Sequence, residues 1–177
     1  MLFIMKPITV LAFLCSIFSI MDEVQAGSLF SHRDCEFKVN LPGKMQPLNK
    51  QTAVGPVYGG MSVLKIRGIN RQLVFQVECQ KMPRDMYSEP NATDVTLNTL
   101  TQLNMKVGAT NTSYDVEKTT FSVRGVSRGL VRRFSAETIM RTEMHVGRRS
   151  LLTLRVIAHK SDVDKIIANE FLQSVSR

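Results

Sequence analysis

Two cysteines separated by 44 positions, Cys35 and Cys79, each sit beside an alternating apolar run. In "CEFKVNLP" the residues Phe37, Val39 and Leu41 share a face with Cys35. In "LVFQVEC" the residues Leu73, Phe75 and Val77 share a face with Cys79. Side chains two apart on a strand point the same way, so both thiols face one core if the strands are neighbours. The reading is a disulfide, with two buried free thiols as the alternative. Closing the loop would stabilise the fold by about 4 kcal/mol through chain entropy. His32-x-x-Cys35 has the spacing of half a metal site, but no second close pair completes it.

A disulfide implies an oxidising compartment, and the N-terminus agrees. Lys6 precedes an apolar run, Ile8 to Met21, ended by Asp22 and Glu23 and followed by Val24-Gln25-Ala26. Residues 1–26 therefore read as a secretory signal cut after Ala26. An uncleaved anchor is the alternative, and the run is short for a membrane span. The remainder, 27–177, suits a single domain. Without Lys6, Asp22 and Glu23, the 23 basic and 15 acidic residues become 22 and 13, a net +9. That balance favours an anionic partner.

Val57–Arg67 and Gln72–Cys79 read as strands after a first strand, Glu36–Leu41. Lys81–Thr93 reads as a loop. Asp94–Val107 carries Leu97, Leu100, Leu103 and Val107 on one helical stripe. Tyr114–Val123 and Leu130–Phe134 read as strands around a glycine-marked turn. A final hairpin pairs Thr138–Val146 with Arg149–Ala158. Burying Leu152, Leu154 and Val156 opposite Met140, Thr142 and Met144 leaves Arg141, Glu143, His145, Arg149, Thr153 and Arg155 on the other face. Ser161 and Asp164 open a closing helix in which Val163, Ile166, Ile167, Phe171 and Ser174 recur. The expected fold is α+β, a mostly antiparallel sheet of about six strands with two helices.

Three stretches carry a family resemblance: "FKVNLPGKM" (37–45), "GRRSLLTLRVIA" (147–158) and "ANEFLQSVS" (168–176). In this order they resemble the opening strand, penultimate strand and closing helix of PsbP-like α/β/α sandwich domains. The resemblance implies an exported bacterial accessory or binding protein, without a cofactor and without catalysis. It carries over no functional residue. The tyrosine usual near the start of the penultimate strand is replaced by Leu151 or Leu152.

Gly125-Val-Ser127-Arg-Gly129 matches the G-x-S-x-G of serine hydrolases, which requires a helix directly afterwards. Leu130-Val131 continues as a strand pattern, so a tight turn is the preferred reading over catalysis by Ser127. The apolar strands carry no paired carboxylates at a plausible spacing, and no phosphate-binding glycine loop occurs in the sequence. His145 reads as a solvated histidine, with Glu143 near enough to orient it if it were a base. Asn91-Ala-Thr and Asn111-Thr-Ser match the N-glycosylation pattern, which matters only in a eukaryotic secretory pathway.

The window from Arg124 to Arg155 holds eight arginines, no lysine and two acids. Arginine suits bidentate contact with carboxylate or phosphate. Arg132, Arg133, Arg141, His145, Arg149 and Arg155 form the expected binding face; a merely solvated face is the alternative. The expected partner is an acidic protein of an envelope or secretion assembly, with anionic wall polymer or lipid as other options. Sparse aromatic interleaving argues against nucleic acid. Lys81–Thr93 is the second place to look.

Overall fold

The computed structural model describes residues 27–53, 55–66, 70–131 and 137–177. The expected signal segment, together with Arg132 and Arg133, lies outside the described residues.

Strands β1 (Ser28–Phe30) and β2 (Val39–Leu41) form a small antiparallel pair. The main sheet holds β3 (Gln46–Thr52), β4 (Gly55–Ile66), β5 (Arg71–Lys81), β6 (Ala109–Lys118), β7 (Val123–Val131), β8 (Thr138–Val146) and β9 (Ser150–His159). Its order is β3-β4-β5-β9-β8-β7-β6, antiparallel throughout. Among the described residues the main sheet has seven strands, near the expected count of about six, and the expected first strand belongs to the small pair instead. Strand β3 escaped the sequence reading for a physical reason. It is an edge strand, largely exposed and containing Pro47, so no buried face imposes a period of two.

Both broad faces of the sheet are covered. On the first face, β2 and helix α2 (Ile166–Gln173) pack over Phe75, Val77, Leu152, Leu154 and Val156. The rings of Phe171 and Phe75 meet edge to face at 5.3 Å. On the second face, helix α1 (Ala92–Lys106) lies over β6, β7 and β8. Cys35 and Cys79 form the expected disulfide, with Cα atoms 6.0 Å apart. It ties the segment before β2 to the end of β5.

Helix α1 starts close to expectation but buries a different stripe. Ala92, Thr96, Leu100 and Asn104 face inward, while Leu97 is 38% exposed. Small side chains face the sheet because the helix approaches closely. A Cβ on Gly125 would lie 2.5 Å from Leu100 Cδ1 and 2.8 Å from Thr96 Cγ2. Thr96, Thr99 and Thr101 each donate to the carbonyl four residues earlier, which satisfies their hydroxyls within the helix.

The two glycines of the G-x-S-x-G match thus sit inside β7, whose burial alternates strictly, and not in a turn. The turn lies earlier, where the Thr119 N–H and Oγ1 both donate to the Ser122 carbonyl. The expected serine cap of α2 is also displaced. Lys165 occupies that position without a side-chain cap. Ser161 bonds Arg71 and His159, and Asp164 faces arginines of the sheet.

The last hairpin departs from expectation by one residue of register. Leu152 pairs with His145, Leu154 with Glu143 and Val156 with Arg141. A one-residue slip exchanges the faces of a whole strand. The expected register assumed one dry face and one wet face. Here both are covered, so polarity loses its power to choose. The turn decides instead, with the Gly147 N–H donating to the Ser150 carbonyl at 2.9 Å.

Candidate functional site

The register shift divides the expected arginine face among three environments. Arg141, Glu143 and His145 lie on the first face, beside Arg124 and Arg128 of β7. Arg155 and Thr153 lie on the second. Arg149 lies in the turn between β8 and β9.

On the first face, Glu143 is 3% exposed and forms a fork with Arg124. Nε donates to Oε1 at 2.8 Å and Nη2 to Oε2 at 3.0 Å, while Nη1 reaches Glu117 at 2.9 Å. His145 Nε2 lies 2.9 Å from Glu143 Oε1, and its Nδ1 lies 3.1 Å from Ser122 Oγ. Burial pushes the Glu143 carboxyl up, but His145 and Arg124 outweigh it and hold the group below its usual range. The same pairing raises the Arg124 guanidinium.

Serine, histidine and glutamate in sequence along one hydrogen-bond chain invite a catalytic reading, but burial opposes it. Ser122 is 0% and His145 3% exposed, so no substrate atom reaches the hydroxyl. Phe37 and Phe121 flank the imidazole at 5.8 and 6.3 Å. His145 is thus a buried structural group, which corrects the expectation of a solvated histidine. Arg128 and Arg141 converge on Asp164 at 2.8 and 3.2 Å, and Arg141 also donates to Asn169 at 2.7 Å. These arginines anchor the approach to α2.

On the second face, Arg155 Nη1 lies 3.1 Å from Glu78 Oε2. Lys50 Nζ meets Glu78 Oε1 at 2.6 Å, and Gln76 donates to the same oxygen at 2.9 Å. Burial raises the Glu78 carboxyl, whereas Lys50 and Arg155 lower it by more, so it stays ionised. The cluster borders a groove of about 380 Å³ beside the C-terminal turn of α1.

Among the described residues of the 124–155 stretch, the turn Gly147–Arg149 carries the two most exposed arginines. Arg148 and Arg149 are both exposed. Arg148 lies 4.0 Å from Asp85, and Arg149 makes no ion pair among the described residues. The backbone beneath them is held firmly. The Arg149 N–H donates to Glu36 Oε1 at 3.0 Å, and its carbonyl accepts from Met82 at 2.8 Å. Tyr87, in the segment between β5 and α1, stands beside Arg148, its hydroxyl donating to the Thr119 carbonyl at 3.1 Å. Lys118 Nζ lies 4.6 Å from the centre of that ring and the Arg148 guanidinium 5.8 Å.

Ser127 is 1% exposed and accepts a hydrogen bond from Asn104 Nδ2 at 2.8 Å. It stands mid-strand beneath α1, where a nucleophile elbow would need it at the tip of a turn. Cys35 is committed to the disulfide, and His32 stacks on Tyr58 at 3.6 Å. Among the described residues, no cluster of three His, Cys, Asp or Glu side chains has the arrangement of a metal site.

Sequence reasoning missed Glu78, Lys50, Lys118 and Ser122. Each acquires its role from a partner on another strand, so no local motif marks it. No family model matches this sequence, and no curated protein matches it.

Proposed function

We propose that this chain is an exported, non-catalytic accessory protein of the bacterial envelope that binds an acidic protein partner. The contact is the end of the molecule formed by Arg148, Arg149, Lys118 and Tyr87, and not a sheet face. One observation carries this reading. Arg124, Arg128, Arg141 and Arg155 each end on a carboxylate of the fold, whereas Arg149 projects from a tethered turn without one among the described residues. Guanidinium groups beside a tyrosine ring are the side chains that most often dominate binding energy at protein interfaces. A sheet with helices on both faces supports the PsbP-like resemblance, and the disulfide supports export.

The test is capture from envelope extract by the protein and by its Arg148→Glu, Arg149→Glu variant, at low and moderate salt. The expected result is a salt-sensitive partner with an acidic surface, held by the wild type and lost by the variant. A partner retained equally by both removes this end of the molecule from the reading. Both substitutions lie on exposed side chains, so an unchanged melting transition should accompany the loss.

A further inference from the structure

Helix α1 covers only part of the second face, which leaves an unfilled groove where it ends. Leu103, Lys106 and Val107 form one wall. On the floor, Met140 and Ile157, and beside them Gln76 and Arg155, belong to adjacent cross-strand rows that continue past the groove. In one, Val63 pairs with Val74, Val74 with Ile157 and Ile157 with Met140, an apolar band across four strands. In the next, Gln76 pairs with Arg155 and Arg155 with Thr142, a polar band beside it. Glu78 and Lys50 complete the polar side. The groove is thus apolar along one length and charged along the other.

Its charge is unbalanced. Glu78 is the one acid among the lining residues, against Lys50, Lys106 and Arg155. Glu78 satisfies part of Lys50 and Arg155, and Lys106 makes no ion pair among the described residues. The polar side therefore has room for one further negative group. Thr142 is 1% exposed and its Oγ1 finds no hydrogen-bond partner among the described residues, directly across from Arg155. Val63 at 39% exposure and the part-buried Val74 extend the apolar band beyond the groove. The volume falls within the range of about 300–1,000 Å³ that small-ligand sites occupy.

We infer that this groove binds a carboxylate with a medium-length acyl chain. The head lies among Lys106, Lys50 and Arg155, and the chain runs over Met140, Ile157 and Val74. This site is separate from the Arg148–Arg149 end, and either reading can fail without the other.

Calorimetric titration with sodium decanoate tests it, using protein expressed from the full chain and purified in the form the cell yields. Saturable one-to-one binding is expected. Affinity should rise about fourfold per added methylene from hexanoate to decanoate, the increment for burying one such group. Lys106→Glu should weaken decanoate at least tenfold while leaving the neutral analogue decanol unchanged. Lys106→Gln, which spares the helix end a reversed charge, should weaken it by less. Val74→Asp, on the groove's extension, should abolish the dependence on chain length. Equal affinity for decanoate and decanol, or indifference to Lys106→Glu in a variant of unchanged melting temperature, would overturn the proposal. So would the absence of saturable binding.

Discussion

Replacing Glu143 by glutamine removes one charge and almost no volume from the interior of the sheet. The glutamine can accept from one donor, but the fork from Arg124 at 2.8 and 3.0 Å loses its anion. Breaking a buried pair typically costs about 3–5 kcal/mol, because the remaining charge is stranded. Arg124 is 32% exposed and keeps Glu117 at 2.9 Å, so part of its charge is met by water and by that second acid. The expected loss is then about 2–3 kcal/mol, below the fully buried case. Urea unfolding at neutral pH measures it as a lower midpoint with an unchanged slope. The pH dependence gives a second reading. The folded Glu143 carboxyl titrates below its ordinary value of 4.5, so its contribution is complete above that pH. It is lost as the pH falls through the lower folded value. The gap between wild type and variant should therefore close in acid. A loss of less than about 0.5 kcal/mol, the scatter of ordinary surface changes, would refute the reasoning. So would a gap that stays constant on acidification.

Gly125→Ala places a methyl against Leu100 and Thr96 beneath α1, and overpacking of this kind costs about 1–3 kcal/mol. An unchanged thermal midpoint would show that the helix can move aside. Replacing Cys35 and Cys79 together by serine should lower stability by up to about 4 kcal/mol, from the 44-residue separation of the bridge. Unfolding curves of the oxidised wild type and the double variant check this, and coincident curves would contradict it.

How much of this was legible in the sequence depends on the range of the forces involved. Strict alternation in β5 and the apolar run of β9 mark strands buried on a face, and both were readable from their own residues. The disulfide was readable because parity placed two cysteines on one core. The existence of both helices followed from local spacing, although the stripe that α1 buries did not. That choice depended on Gly125, a residue of a different element.

The sequence by itself determined the α+β class, the disulfide, the positive charge and most of the strands, because those follow from short-range periodicity and composition. The tertiary structure alone decided which face each arginine occupies. In an exposed sheet a polar residue marks the wet side, and register can be read from it. Here α1 and α2 pack against both sides, and these partly buried arginines each meet a carboxylate from another element: Glu143 for Arg124, Asp164 for Arg128 and Arg141, Glu78 for Arg155. The hairpin register settled those partnerships, and it left Arg148 and Arg149 as the most exposed arginines among the described residues of that stretch.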